Sequence, residues 1–258
     1  MYASVKCIVA CVLCLIANSM AQDRCMSNRF FYSPSLLYVG RNTDSSDLYI
    51  QGLDTLTDIK ISKNVFIRGV NQVNYGMGYY YISNPYSTSG RYNTTMFYYK
   101  GEGLLNRRFQ QGRHAFDMGV GSGYRWFNFD SKYNASMNNG ASYITNVALL
   151  YQEVTVPVFL GYQITLSQDL KMNFDMTLAY GHGLMKHRFT GSPTPPKLSW
   201  HSSYRGDFRF LTQYKSFTFG PVISYNYFTR GRWNGKYTVG PKDYLTFSSF
   251  GAMIGYSF

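Results

Sequence analysis

Apolar and polar residues alternate with a period of two along most of the chain. In segment 153–163, Val154, Val156, Val158, Leu160 and Tyr162 share one parity, and Glu153, Thr155, Pro157, Phe159, Gly161 and Gln163 the other. Successive side chains of a β-strand point to opposite faces, so this pattern predicts a strand. It recurs. His114, Phe116, Met118, Val120, Tyr124 and Trp126 oppose Arg113, Asp117, Gly119, Gly121, Gly123 and Arg125. Phe174, Met176, Leu178 and Tyr180 oppose Asn173, Asp175, Thr177 and Ala179, and Phe208, Phe210 and Tyr214 oppose Asp207, Arg209 and Gln213. After residue 21 no apolar run reaches the roughly 18 residues that a membrane-spanning helix needs.

Two architectures alternate in this way. A soluble sandwich turns its apolar parity inward, whereas a transmembrane barrel turns it to lipid and lines its lumen with the polar parity. Repeated charges on the face opposite large aromatics favour the barrel. The chain reads as all-β: a transmembrane antiparallel up-and-down β-barrel of about ten strands. Eight strands are expected near 65–82, 93–103, 112–128, 143–166, 171–185, 203–214, 216–229 and 242–258. Short connections at 104–111, 167–170 and 214–216 alternate with longer ones at 83–92, 129–142, 186–202 and 230–241, the asymmetry of periplasmic turns and external loops. Residues 29–61 read as a further hairpin; the alternative is eight strands plus an N-terminal extension, because Pro34 weakens its strand.

Composition sharpens this. Of 258 residues, 25 are Tyr, 19 Phe and 24 Gly, with only 15% charged, a balance suited to strands that place aromatics at a membrane interface. Lys6, the apolar stretch CIVACVLCLIA and the small residues Ser19 and Ala21 predict a signal peptide over 1–21, with the barrel domain at 22–258. Three of the four cysteines fall in that leader, leaving Cys25 without an intramolecular partner. Export and the barrel together predict the bacterial outer membrane.

The last residues carry a resemblance. Phe258, Tyr256, Ile254 and Phe250 occupy alternate positions at the end of FSSFGAMIGYSF, which resembles the C-terminal assembly signal of Gram-negative outer-membrane β-barrels. That resemblance implies a last strand read by the barrel-assembly machinery, closing against the first. The stretch EVTVPVFLGY at 153–162 is similar to a strand of small OmpA- and opacity-type barrels.

A barrel of this width has room inside for side chains and little else. The inward charges Arg113, Asp117, Arg125, Glu153, Asp175, Asp207 and Arg209 are therefore expected to pair as a closed network, since an unpaired buried charge costs several kcal/mol. The formal net charge is +12. The surplus falls in two loops without acids: Lys186, Arg188 and Lys197 in one, and Arg230, Arg232, Lys236 and Lys242 in the other. Outside a cell such residues would meet lipopolysaccharide phosphates, or an external polyanion or host surface; nucleic acid is not an expected ligand of an exported chain. His201 and Ser203 resemble the His-x-Ser of barrel lipases that deacylate lipid A, but no carboxylate stands where it would orient the His. Nor is there the acid pair and Asp/His couple of the omptins, the ten-stranded outer-membrane proteases. No cofactor or metal is expected. The reading is a structural or surface-interaction barrel serving envelope integrity, adhesion or host contact. A narrow porin is the alternative, and a lipid A hydrolase the third.

Overall fold

The computed structural model describes residues 26–41, 44–82, 90–136, 142–189, 197–229, 232–233, 236–237 and 245–257. The leader, Cys25 and Phe258 lie outside these residues. The barrel strands are β1 (Met26–Arg41), β2 (Asp44–Ser62), β3 (Val65–Ile82), β4 (Gly90–Gln111), β5 (His114–Ser136), β6 (Ser142–Thr165), β7 (Leu170–Phe189), β8 (Lys197–Tyr214), β9 (Phe217–Phe228) and β12 (Leu245–Ser257). The short strands β10 (Arg232–Trp233) and β11 (Lys236–Tyr237) form a ladder within the β9–β12 connection.

Every barrel strand pairs antiparallel with its neighbours in sequence, and β1 pairs with β12 through registers such as Tyr32↔Ile254 and Leu36↔Phe250. The sheet therefore closes on itself as a ten-stranded up-and-down barrel, leaving no exposed edge. Residues 26–41 pair with both β2 and β12, which overturns the alternative of a separate N-terminal extension. Pro34 is accommodated where the β1–β12 ladder lacks bridges, between Tyr32↔Ile254 and Ser35↔Gly251. Pro157 and Pro221 sit in similar two-residue gaps of the β5–β6 and β8–β9 ladders. A proline has no N–H to give a ladder, so each falls where pairing is already interrupted.

Strand ends differ from the sequence expectation. The connection expected at 104–111 is strand throughout, and the turn is only Gly112–Arg113, with Gly112 at φ 57°. β7 reaches Phe189 and β8 begins at Lys197, so His201 and Ser202 lie inside a strand. The short turns at 63–64, 112–113, 166–169 and 215–216 share one end of the barrel with Met26 and Ser257.

The outer wall is greasy. Leu53, Val120, Val156, Val158, Leu178, Ile223 and Ile254 are exposed on it. Near the short turns the exposed ring residues Phe109, Phe116, Tyr162, Tyr214, Phe217 and Tyr256 form one belt, and Tyr38, Tyr124, Tyr180, Tyr204 and Tyr225 form another towards the opposite end. An apolar band between two aromatic girdles is the surface of a membrane-spanning barrel.

Candidate functional site

The lumen is filled, and its filling is layered. Reading the inward parity of β1 from the short-turn end gives Arg29, Phe31, Ser33, Ser35, Leu37, Val39; β4 gives Arg108, Asn106, Leu104, Glu102, Lys100, Tyr98, Met96. On both strands polar and apolar stretches take turns along the barrel axis, and the inward residues of the sheet gather into four slabs.

The first slab is ionic and surrounds a cavity of about 190 Å³ whose lining includes Asp175 and Lys171. Asp58 accepts from Arg29 Nη2 at 2.8 Å and from Arg68 Nε at 2.7 Å, while Arg108 grips Asp117 with two bonds of 2.7 Å. The Arg68 guanidinium also lies 4.7 Å from the Phe159 ring centroid, a cation–π contact onto the next slab. That second slab is apolar and comprises Phe31, Leu56, Val70, Leu104, Phe159, Leu211 and Met253.

The third slab holds four buried acids, Asp54, Glu102, Glu153 and Asp207, and four buried bases, Lys100, Arg125, Arg205 and Arg209. Asp207 binds Lys100 Nζ and Arg205 Nε, each at 3.0 Å, and accepts from Ser224 Oγ at 2.6 Å; Arg205 also pairs with Glu102. Arg125 pairs with Glu153 and donates to Asn226. Glu153 additionally accepts from Tyr151 Oη at 2.6 Å and Ser203 Oγ at 2.5 Å. Equal numbers of opposite charges leave the layer neutral as a whole, and Asp54, outside these ion pairs, accepts from Gln72 Nε2 at 3.4 Å. Gly181 makes this possible locally, since a Cβ there would fall 2.4 Å from Glu153 Oε2 and 2.5 Å from Ser203 Oγ.

The fourth slab is apolar again. Phe127 has ring centroids 5.1 Å from Tyr151, 5.8 Å from Phe228 and 5.0 Å from Phe247, with Met96, Met185 and Leu48 packed in the same cluster.

Of the charges singled out from sequence, Asp117, Arg125, Glu153, Asp207 and Arg209 are buried in the lumen, and Asp175 lines the first cavity. Arg113 does not join them: it lies exposed in the turn after Gly112, because β5 begins at His114, two residues later than expected. Parity analysis missed Arg29, Arg68, Arg108 and Arg205. Arg205 shares the parity of Asp207 two residues on, a signal already present in the pattern.

Ser203 faces Glu153 and Arg125. His201 instead places Nδ1 2.7 Å from the Thr229 carbonyl and Nε2 2.7 Å from Ser199 Oγ. A carbonyl only accepts, so Nδ1 carries the proton and Nε2 accepts from Ser199. His201 and Ser203 are therefore not arranged as base and nucleophile. His182 bonds Ser202 Oγ on the outer wall and stacks on Trp200, and His114 bonds the Tyr162 hydroxyl. Among the described residues, no three His, Cys, Asp or Glu side chains converge as metal ligands.

At the end opposite the short turns, Lys186 is half-buried on β7; Arg188, Lys197, Arg232 and Lys236 lie on β7, β8, β10 and β11, while Arg230 and Lys242 fall outside the described residues. Phe250, Ile254 and Tyr256 project from the outer wall of β12.

No protein-family model matches the chain, and no curated protein matches it. Its fold is similar to that of the outer-membrane protease OmpT from Escherichia coli, at 10% identity and a TM-score of 0.56, over 90% of this chain and 96% of that one. The translocator domain of the autotransporter NalP from Neisseria meningitidis aligns at 8% identity and a TM-score of 0.48, over 99% and 97% of the two chains. At such identities the likeness is one of architecture. With its girdled apolar wall, the chain is a ten-stranded β-barrel of the bacterial outer-membrane type.

Proposed function

We propose that the protein is an integral outer-membrane barrel with a sealed lumen, acting through its outer wall and external loops in envelope integrity or surface contact. The observation that carries this reading is the pair of apolar slabs, one around Phe159 and one around Phe127, crossing the lumen on either side of a charge-balanced layer. A water-filled pore needs a continuous polar path, and each slab interrupts it. The basic residues around 186–197 and 230–242 would then be the interaction surface, facing lipopolysaccharide phosphates or an external polyanion. The outward Phe250, Ile254 and Tyr256, with Phe258, would serve as the assembly signal.

No arrangement described above supports catalysis, and the OmpT likeness contributes the fold alone. The test is planar-bilayer recording of the refolded protein. Membranes containing it are expected to stay silent, and stable unitary currents would establish the narrow-porin alternative instead.

A further inference from the structure

The ion pairs of the first slab leave polar groups over, and these converge on its cavity of about 190 Å³. Arg29 and Ser257 face each other across the β1–β12 ladder, and both line that cavity. Arg29 gives its Nη2 to Asp58, yet its Nε is buried without a partner, and so is Ser257 Oγ. Side chains directly opposite on paired strands start only about 5 Å apart, so both donors can reach one acceptor group. On the far wall Lys171 of β7 also lines the cavity, and it makes no ion pair or hydrogen bond among the described residues. Asn173, two residues on, pairs in register with Gln163 of β6, so two amides stand beside the ammonium.

These leftovers suit an anion. Asp58 and Asp117 are already gripped by guanidinium groups, and Asp175 has Arg209 as its cross-strand neighbour. Arg29, Arg68, Arg108 and Lys171 outnumber the three carboxylates of the lining. A cation finds no such provision, since no three acids converge among the described residues. The cavity opens to the short-turn end, where Ser27 on its lining is exposed. There it meets a second cavity of about 380 Å³, which shares Ser27, Asp58 and Arg108 and adds Lys60 and Lys63 without a further acid. Positive charge at such a mouth draws anions inward. Pockets for whole small molecules start near 300 Å³, so the inner cavity takes one charged group and the outer one accommodates the rest.

We propose that the inner cavity is a binding site for an oxyanion, the carboxylate or phosphate group of a ligand entering from the short-turn end. Arg29 Nε, Ser257 Oγ and the Lys171 ammonium donate to it. The membrane placement proposed above makes that end periplasmic; the site itself rests on the cavity alone.

The experiment titrates the refolded protein in non-ionic detergent, at constant ionic strength, with inorganic phosphate and separately with N-acetylglutamate, following the heat of binding. The uncharged amide of N-acetylglutamine is the control. One-to-one binding of an anion is expected, with none of the control, and the tighter anion assigns the source: free phosphate, or a carboxylate-bearing ligand such as an acidic peptide. Lys171→Gln should weaken binding about tenfold and Ser257→Ala about threefold, the scale of losing a charged and a neutral hydrogen bond. Arg113→Gln removes a base from the same end but outside the cavity, and should change nothing; heat-modifiable gel migration verifies that each variant folds. In the wild type labelled with ¹⁵N-arginine, the Arg29 Nε–H resonance, assigned with Arg29→Lys, should shift on saturation. Absence of binding by the wild type overturns the proposal, as does an Arg29 resonance that stays in place. Equal weakening by Arg113→Gln and Lys171→Gln overturns it too, assigning the effect to diffuse charge at the rim. A barrel that folds without detergent yet binds as expected would overturn the membrane placement and uphold the site.

Discussion

Arg125 is 1% exposed and its partner Glu153 2%, a burial that neither charge could sustain alone. Glu153 gathers Arg125, Tyr151 and Ser203 around one carboxylate, so its removal strands a guanidinium between two apolar slabs. Glu153→Ala is expected to cost roughly 3–5 kcal/mol, whereas pairing Glu153→Leu with Arg125→Met should recover most of that loss by removing both charges. Urea unfolding of the refolded protein, followed by tryptophan fluorescence, measures both; a double variant as weak as the single one would show that hydrogen bonding, not charge pairing, dominates. Glu153 and Arg125 were legible in the sequence because each opposes a greasy neighbour on its own strand. Their partnership was not, because Arg125 lies on β5 and Glu153 on β6 and only the register Arg125↔Glu153 brings them together. The same limit hid the two arginine partners of Asp58, which come from β1 and β3. It also let Ser203 resemble a nucleophile when its hydroxyl belongs to the ionic slab.

At the scale of strands, parity was visible and ends were not. Alternation marks where a strand runs, but it does not stop cleanly at a short turn: residues 104–111 keep the same period, and only Gly112 with its positive φ turns the chain. Glycines inside strands carry a different message. A Cβ on Gly121, inward on β5, would lie 1.8 Å from the Gly103 carbonyl oxygen, a backbone atom that cannot step aside. Gly103 on the adjacent β4 faces outward, and a Cβ there meets nothing within 4 Å. Gly121→Ala is therefore expected to destabilise the barrel by about 1–3 kcal/mol, while Gly103→Ala should be neutral or slightly stabilising through the less flexible unfolded chain. The two urea midpoints decide this, and equal shifts would mean that β5 moves away from β4 at no cost. The alternate glycines at 119, 121 and 123 are thus spacing devices for a crowded lumen.

For the molecule as a whole, the feature least visible in the sequence is the order of the slabs along the axis. The inward parity is expected from sequence to line the lumen mainly with polar groups, yet Phe31, Leu56, Leu104, Phe159 and Leu211 share that parity and align only when the tilted strands are wound into a cylinder. Two seals in series have a consequence that one would not. Truncating the lower seal with Phe159→Ala, or the upper with Phe127→Ala and Phe228→Ala, leaves the other slab intact, so either variant should stay electrically silent. Combining all three truncations joins the ionic slab to both mouths, where its paired charges and hydroxyls can support a thread of water. Brief unitary currents are then expected from the triple variant alone. Currents of similar size from Phe159→Ala by itself would show that the Phe127 cluster does not block ions, leaving the lower slab as the sole barrier.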